Sequence, residues 1–395
     1  MECVDLLQQL VSIPSVNPMG AEVGEDEPFE SDLTQWLVEY FQKLGVPFEC
    51  IEVAPKRANV IARYQAPQSS ITVLLDAHQD TVPIDGMTIP PFEPTISEGR
   101  LYGRGSCDVK GGMASMLWAF TQLVQQRPPD SANVILSCTC DEEATVLGIK
   151  NLVSQWTDPQ SVSKLIAQRP DMAIVAEPTE LDVVVAHRGA TRWKLITHGR
   201  ACHSSNPSQG VSAIYRMAKV LNVLEEFADQ LSTLVTPHPL CGPATLSVGK
   251  IQGGISVNTV PDRCSIEIDR RVIPGEDGSQ VMGQVAEYLQ SRLDFDVEMS
   301  EPWIIGQPLP DNDNADVAER LLSLIEESVG PHRSVGVPYG THASRISAAG
   351  VPAVVFGPGS IEQAHTVDEW IDLQQLNSAA NVYFDFCADA TARLA

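Results

Sequence analysis

The chain has 395 residues, of which 43% are hydrophobic and 6% aromatic, a composition typical of a globular α/β protein rather than a disordered or collagen-like one. Its 26 lysines and arginines face 51 aspartates and glutamates, a formal net charge of −25 that repels phosphate backbones and anionic membrane surfaces. A nucleic acid is therefore not an expected partner, and the length predicts two domains or one domain with a large insertion.

The amino terminus and the cysteines suggest a protein that is not exported. The first residues, MECVDLLQQL, lack the basic segment, apolar run and cleavage site of a secretory signal. No apolar stretch approaches the ~18 to 20 residues that a membrane helix needs. The nine cysteines are scattered without a CxxC pair, as is typical of reduced, buried thiols. We expect a soluble cytoplasmic protein that does not contact membranes.

The first predicted element is an amphipathic helix over residues 31–44. Its apolar side chains recur at helical spacing, Ser31 or Asp32 is expected to cap its start, and Gly45 is expected to end it. A second helix is predicted over residues 111–126. Helices of this kind bury one face against a sheet, so strands are expected around them.

Four short, almost wholly apolar runs predict strands that are covered on both faces, as in a parallel sheet. They are ITVLLDAH from Ile71, NVILSCTC from Asn133, DMAIVAE from Asp171 and PAVVFGPG from Pro352. Because helical stretches lie between these runs, the order of elements predicts a doubly wound, mostly parallel sheet of the α/β class.

The pattern changes after about His187, where several segments alternate with the period of half-exposed strands. These segments, with helices predicted around 213–231 and 278–293, indicate an inserted α+β domain. The expected domains are therefore a discontinuous one over 1–186 and 302–395, and an insertion over 187–301.

Three of the predicted buried strands end in side chains that bind metals or protons. They are His78 with Asp80, Glu142 with Glu143, and Glu177. In an open parallel sheet the carboxyl ends of the strands border one crevice, so these side chains should converge there. Asp108, in the glycine-rich loop GRGSCDVKGG, and His365, after the last strand, can reach the same edge.

Histidines and carboxylates in this number suit a divalent cation such as zinc, cobalt or manganese, and a bridging carboxylate would let two cations share the site. In an extended HxD segment His78 and Asp80 face the same side, so Asp80 could orient the imidazole. In DEE, Glu142 and Glu143 point different ways, which allows one to bind metal while the other handles a proton of water.

Each pattern taken alone has a simpler explanation. A single HxD or DEE in so acidic a chain is usually solvated surface or helix capping. Their repeated occurrence at the ends of apolar runs argues against this, because burying unpaired charges is costly. The glycine-rich loop suggests a nucleotide site, but Asp108 breaks the GxGxxG spacing and no GKS or GKT follows.

The quoted motifs together resemble those of the M20 metallopeptidase family. They are LLDAHQDTVP, GRGSCDVKGGMA, DEEATVLG, AEPT, HSSNP and AHTVDEW, and the likeness extends from SIPSVNP at Ser12 to the region of Trp370. The resemblance implies a catalytic domain with two zinc ions, interrupted by a smaller α+β lid or dimerisation domain. It also implies a homodimer formed through that lid.

The resemblance further implies which residues bind the metals. By motif position, one ion would be bound by His78, Asp108 and Glu177, and the other by Asp108, Glu143 and His365. Asp108 would then be the bridge between the two ions.

The resemblance also assigns catalytic roles. Asp80 would orient His78, and Glu142 would be the general base that activates a water and passes a proton to the leaving nitrogen. His203, in HSSNP, would reach into the active site of a partner chain to stabilise the developing oxyanion.

Three residues are expected to contact the substrate. Asn258 in VNTVPD and Arg271 in DRRV match positions associated with holding a substrate carboxylate. His342, in YGTHASR, stands where members of the family commonly carry Asp or Ser-Asp. We hypothesise that His342 lines the pocket, with a buried loop histidine as the alternative.

The preferred functional interpretation is a hydrolase of the acetylornithine deacetylase type, acting on a small N-acylated amino acid or a short peptide. Succinyl-diaminopimelate desuccinylase, aminoacylase and dipeptidase or carboxypeptidase activities remain alternatives within the family. A catalytically silent binding protein is the alternative of another class, and the presence of Glu142 argues against it. A sugar or phosphate binder using the glycine-rich loop would need no metal.

Overall fold

A computed structural model describes residues 1–20 and 29–389, which divide into two compact units. The first unit comprises Met1–Val185, Asp311–Val335 and the residues from Thr341, and the second comprises Ala186–Pro310 and Gly336–Gly340. Within the described ranges, no helix combines the length and apolar character needed to cross a bilayer.

The helices and strands are numbered in chain order. The helices are α1 (Cys3–Ser12), α2 (Ser31–Leu44), α3 (Lys110–Gln126), α4 (Leu147–Thr157), α5 (Ala213–Leu234), α6 (Val281–Gln290), α7 (Ala315–Ser328), α8 (Ala343–Ala348) and α9 (Leu373–Ala388), with a short 3-10 helix at Pro207–Gln209. The strands are β1 (Phe48–Ala54), β2 (Arg57–Tyr64), β3 (Thr72–His78), β4 (Thr95–Ser97), β5 (Arg100–Tyr102), β6 (Asn133–Thr139), β7 (Met172–Val175), β8 (Val183–His187), β9 (Gly189–His198), β10 (Cys202–His203), β11 (Thr245–Gly253), β12 (Thr259–Val260), β13 (Arg263–Val272), β14 (Glu298–Met299), β15 (Ile304–Ile305), β16 (Ser334–Val337), β17 (Ala353–Val355) and β18 (Trp370–Asp372).

The main sheet has eight strands in the order β1-β2-β6-β3-β7-β17-β8-β16. Its centre is parallel, because β6, β3, β7 and β17 pair in the same direction. The flanking strands β1, β2 and β8 pair antiparallel with their neighbours. The predicted α/β class with a mostly parallel central sheet is thereby confirmed, and its four apolar runs form the four parallel strands.

The central strands are apolar because helices cover them. Every residue of β6 is buried, and β3 is buried from Val73 onwards. Helices α1, α3 and α9 pack against one another and contribute Leu6, Phe120 and Tyr383 to the core. Burial on both faces leaves little room for polar side chains within these strands, so such groups accumulate where the strands end.

Helix α2 spans the predicted residues and ends at Gly45, whose φ of 73° is the left-handed conformation that favours glycine. Its start differs from the prediction, because Glu30 is the N-cap instead of Ser31 or Asp32. The main-chain oxygen of Glu30 accepts the first helical hydrogen bond from Thr34. Its carboxylate binds Arg57 instead of capping the helix.

The second unit contains an antiparallel sheet of five strands, in which β9 pairs with β13, β14 and β15. Helices α5 and α6 pack with this sheet around Trp193 and Phe227. A separate ribbon pairs β10 with β12. Because β15 pairs with β9, the second unit extends to Pro310 rather than ending at residue 301.

Candidate metal and catalytic site

Side chains that can bind a metal converge at the carboxyl ends of the parallel strands. His78 is the last residue of β3, and Glu143 lies in the turn that follows β6. Ligand atoms of His78, Asp108 and Glu143 all lie within 4.8 Å of one another. The strand ends therefore place these three predicted ligands around a common point.

Asp108 lies between two histidines. Its Oδ1 lies 3.1 Å from Nε2 of His78, and its Oδ2 lies 3.3 Å from Nε2 of His365. The same nitrogen of His365 lies 3.2 Å from Oε1 of Glu143. Each carboxylate oxygen of Asp108 thus faces a different histidine, as required of a carboxylate that bridges two cations.

Asp80 contacts His78 in a way the sequence did not predict. Nδ1 of His78 lies 2.8 Å from the main-chain oxygen of Asp80 and 3.7 Å from its carboxylate. The carboxylate instead accepts hydrogen bonds from the main-chain nitrogens of Glu142 and Glu143, at 2.9 and 3.0 Å. The Asp80 main chain therefore orients the imidazole, while its side chain holds the turn with the two glutamates.

Three glutamates at this site lie close to other negative charges, with Glu177 buried and Glu142 and Glu143 partly buried. Burial raises the pKa of Glu142 to about 8, with His78 opposing and Glu143 reinforcing the shift. Burial and the charge of Asp108 also raise the pKa of Glu143, and they raise that of Glu177 well above its ordinary value. Buried carboxylates are stable only when paired or bound to a cation, so this donor set fits divalent metal ions.

Contacts with carboxylates favour the protonated forms of the two histidines when no cation is bound. Burial alone would lower the pKa of His78, but Asp108 raises it well above its ordinary value. Hydrogen bonds to Asp108 and Glu143 raise the pKa of His365 to about 10. Burial alone would raise the pKa of Asp108, but hydrogen bonds from His365 and His78 hold it well below its usual range. Metal binding here must therefore release protons.

Glu369 holds the loop that carries Asp108, a role that sequence reasoning missed. Strand β18 pairs with β5 and so brings Glu369 beside the glycine-rich loop. The Glu369 carboxylate accepts hydrogen bonds from the main-chain nitrogens of Gly105, Cys107 and Asp108, at 2.9, 2.9 and 3.0 Å, and from Arg104 at 2.8 Å. The only signal in the sequence was an acidic residue inside the quoted motif AHTVDEW.

His203 and Asn258 are neighbours in the second unit. His203 lies on β10, and the main-chain nitrogen of Ser204 donates to the main-chain oxygen of Asn258 at 3.0 Å. Nδ1 of His203 accepts a hydrogen bond from the Ser205 main-chain nitrogen at 3.1 Å. Ser205 thus occupies Nδ1 of the exposed His203 ring with its main-chain nitrogen, and its hydroxyl lies 2.7 Å from the same atom.

Arg271 lies far from this pair. It is near the end of β13, opposite Thr245, and its Nε lies 2.7 Å from Asp269. Asn258 precedes β12, at the other end of β13, and the strand from Arg263 to Arg271 spans roughly 26 Å at ~3.3 Å per residue. Arg271 and Asn258 of one chain therefore lie too far apart to bind one carboxylate together, and their roles in substrate binding stay predictions.

His342 lies in the interior of the first unit. Its exposed fraction is 2%, and its Nδ1 lies 2.7 Å from the carboxylate of Asp76, which is also buried. Asp76 in turn accepts a hydrogen bond from Ser137 at 2.5 Å. This is the environment expected of the alternative, a buried loop histidine, rather than of a residue on a pocket wall.

Comparison with known proteins agrees with this arrangement. The model of peptidase family M20/M25/M40 matches residues 74–389. Acetylornithine deacetylase of Proteus mirabilis (strain HI4320) is 30% identical over 386 residues, which cover 94% of this chain and 92% of that protein.

Solved structures share the fold at lower sequence identity. An M20 family metallo-carboxypeptidase from Sulfolobus solfataricus superposes with a TM-score of 0.78 at 18% identity, covering 99% of this chain and 100% of that one. A dinuclear metal-binding peptidase of the M20 family from Bacillus subtilis superposes with a TM-score of 0.70 at 14% identity, covering 99% and 98%.

Proposed function

The chain belongs to peptidase family M20/M25/M40, and on this basis we propose that it is a di-metal amidohydrolase that removes the N-acyl group of a small amino acid. That it is a hydrolase follows from the family. The observation that carries the finer proposal is the position of Asp108, whose two oxygens face His78 and His365 separately.

The donor atoms at the strand ends are proposed to bind two cations. His78, Asp108 and Glu177 would bind one, and Asp108, Glu143 and His365 the other. Mixed nitrogen and oxygen donors favour zinc, with cobalt or manganese as alternatives. When bound, the cations would polarise the acyl oxygen of the substrate and lower the pKa of a water molecule.

The protein itself would move the proton. Glu142 would take it from the attacking water and pass it to the leaving nitrogen, so that the amide bond breaks to give a free amine and a carboxylate. The hydrogen bond from its main chain to Asp80 holds Glu142 in place.

His203 is proposed to act on the acyl oxygen. Because Ser205 occupies Nδ1, Nε2 is the ring nitrogen that would donate to that oxygen. A donor aimed at the developing oxyanion stabilises the transition state more than the ground state. We assign this contact to His203 of a second copy of the chain, as the motif HSSNP suggests.

The second copy is proposed to associate through the second unit, the lid. Within the described part of the chain, no strand pairs with the outer edge of β11, which is exposed along most of its length. A groove of about 810 Å³ is lined by Tyr215, Ile255 and Val257, all largely exposed. An open edge beside apolar side chains is suited to self-pairing about a two-fold axis.

The dimer proposal is tested by the oligomeric state in solution. Light scattering should give the mass of a dimer for the wild type and of a monomer for a Val257→Asp variant, because a buried charge disrupts an apolar contact. A Val162→Asp variant, which changes an exposed valine of the first unit, should remain dimeric. A monomeric wild type would reject the proposed dimer.

We place the reaction in the cytoplasm on the basis of the cysteines. Within the described residues, all nine lie outside any disulfide, and seven of them are buried. Proteins of oxidising compartments usually carry disulfides, so this usage fits a reducing compartment.

The substrate proposal depends on the relative that is 30% identical, an acetylornithine deacetylase. Several structural neighbours are peptidases, such as a tripeptidase from Staphylococcus aureus, so a short peptide is the second candidate. Selectivity depends on pocket shape, which varies on a shared fold. A panel of N-acetylornithine, N-succinyl-diaminopimelate, N-acetylmethionine and dipeptides separates these candidates.

Two measurements test the chemistry independently of the substrate. Elemental analysis should find about two zinc, cobalt or manganese ions per chain, and protein without metal would reject the proposal. A Glu142→Gln variant should keep its metal but lose turnover by about 10³-fold or more, because it lacks the base. Turnover close to wild type in that variant would reject the role of Glu142.

A further inference from the structure

Asn17, in the segment SIPSVNP, is buried beside residues that shape the metal site. Its exposed fraction is 1%. Its Nδ2 donates two hydrogen bonds, at 2.8 Å to Oδ2 of Asp80 and at 3.0 Å to Oδ1 of Asp141. Its main-chain nitrogen donates to Thr81 at 2.8 Å, and its Oδ1 accepts from the Met19 main chain at 3.0 Å. The amide is therefore fixed at both ends and joins two carboxylates.

Each of these carboxylates controls one part of the turn that carries Glu142 and Glu143. Asp80 accepts hydrogen bonds from the main-chain nitrogens of both glutamates. Asp141, directly before Glu142, has a φ of 61°, a left-handed conformation that is uncommon for non-glycine residues, although aspartate adopts it more readily than most, and its side-chain contacts hold it there. The position of the two glutamates therefore depends on the spacing between Asp80 and Asp141.

The side chain of Asp141 also spans its own turn. One oxygen accepts hydrogen bonds from the hydroxyl of Thr145 and from the main-chain nitrogen of Leu147, the latter at 3.3 Å. The other oxygen contacts Arg57 as well as Asn17. Loss of the Asn17 contact would therefore leave the Asp141 carboxylate paired with Arg57.

Asn17 and Arg57 differ in charge and in the carboxylates that they contact. The Arg57 guanidinium contacts both Asp141 and Glu30. It donates two hydrogen bonds to the Glu30 carboxylate, at 2.8 and 3.0 Å. The described contacts of the Asp80 carboxylate come from neutral donors, namely Asn17 and two main-chain nitrogens, with His78 3.7 Å away. Asn17 thus links the two carboxylates through a neutral amide.

We propose that Asn17 is a positioning residue for hydrolysis, because its amide ties Asp80 to Asp141 and thereby sets the placement of Glu142 and Glu143. The inference rests on the proposed metal-dependent function. It adds a residue from the amino-terminal segment to the set that determines the geometry of the site.

The test compares Asn17→Ala and Asn17→Asp with a matched control, Asn133→Ala. Asn17→Asp keeps the shape of the side chain but replaces the donor with an acceptor. Asn133 is also buried and uses its side chain in three hydrogen bonds, at 2.6 to 3.0 Å, but it starts β6 at the opposite end of the sheet. Turnover and unfolding are measured with every protein saturated with zinc, because bound metal stabilises the fold.

Three quantities are measured: zinc affinity by competition with a chelator, kcat and KM with the best substrate of the panel, and the free energy of unfolding. Both Asn17 variants should lose roughly 10- to 100-fold in kcat and about 10-fold in zinc affinity, the usual effect of removing a contact behind a metal ligand. KM should change by less than about three-fold, since Asn17 is almost fully buried and offers a substrate little surface. Asn133→Ala should lose stability but keep kcat and zinc affinity.

The outcomes separate this inference from the proposed function. The positioning role is rejected if the wild type binds zinc and turns over substrate, and both Asn17 variants have the kcat and zinc affinity of the wild type. It is also rejected if their kcat and zinc affinity fall no further than those of Asn133→Ala. If the wild type binds no metal, the proposed function fails and the inference fails with it. A loss of kcat and zinc affinity confined to the Asn17 variants supports it.

Discussion

Replacing Glu369 by glutamine perturbs the loop of Asp108 without changing the shape of the side chain. In the wild type, Oε1 accepts from the main chains of Cys107 and Asp108, and Oε2 accepts from Gly105 and Arg104. A glutamine has one acceptor oxygen and one donor nitrogen. Whichever way the amide turns, two of the four hydrogen bonds are lost, and the amide nitrogen of the glutamine faces two N–H donors.

The size of the effect follows from these contacts. A hydrogen bond to a charged group contributes about 1.5 to 3 kcal/mol, so losing two should lower the free energy of unfolding by roughly 3 to 6 kcal/mol. A typical domain has a free energy of unfolding of only about 5 to 15 kcal/mol. Because the loop that carries Asp108 loses half of its hydrogen bonds to this side chain, zinc affinity should fall by about 10- to 100-fold as well.

Urea unfolding and zinc competition measure the two effects of Glu369→Gln. The matched control is Glu276→Gln in the second unit, where Glu276 accepts from Arg270 and from the main chain of Ile273. The control should lower stability and leave zinc affinity unchanged. The anchoring role of Glu369 is refuted if the free energy of unfolding of Glu369→Gln lies within about 1 kcal/mol of the wild-type value and its zinc affinity is unchanged.

Three further predictions follow from the site. Asp108→Ala should lose both cations in elemental analysis, because it removes the ligand they share, and retention of two would contradict the bridge. His365 stabilises the metal-free protein fully below its ordinary pKa of 6.5, and this contribution disappears as the pH rises through about 10. Urea unfolding of chelated protein should therefore show a decline between these values that a His365→Gln variant lacks. Gly148→Ala should lower the free energy of unfolding by about 1 to 3 kcal/mol and reduce kcat, since its Cβ would lie 2.2 Å from the Cys140 oxygen; equal unfolding and turnover would contradict this.

The sequence identified the elements that build the first unit because their signals are local. The apolar runs became β3, β6, β7 and β17, and the helix over 31–44 ended at Gly45 as predicted. Such segments are encoded by the period of their own apolar residues, and strands covered by helices are uniformly apolar. The cap of α2 was predicted wrongly, because the Glu30 side chain is drawn to Arg57, a residue distant in the chain.

The acidic and histidine residues at the strand ends were also recognisable, because a parallel sheet gathers its carboxyl ends at one edge. The hydrogen-bond partners of these residues could not be recognised from the sequence. The role of Asp80 was predicted through its carboxylate, yet its main-chain oxygen makes the shorter contact with His78. A spacing of two residues indicates which side chains share a face, but it cannot indicate how the backbone turns after the strand ends.

The sequence by itself determined the class of fold, the strands and the residue types able to bind a divalent cation, since each depends on neighbouring residues or on one quoted motif. Only the tertiary structure decided that Glu369 anchors the loop of Asp108, that Asn17 joins Asp80 to Asp141, and that Arg271 lies far from Asn258. The physical reason is that these contacts join segments distant in sequence. Hydrogen bonds and charges act over a few ångströms in space, and their partners become known only when the chain has folded.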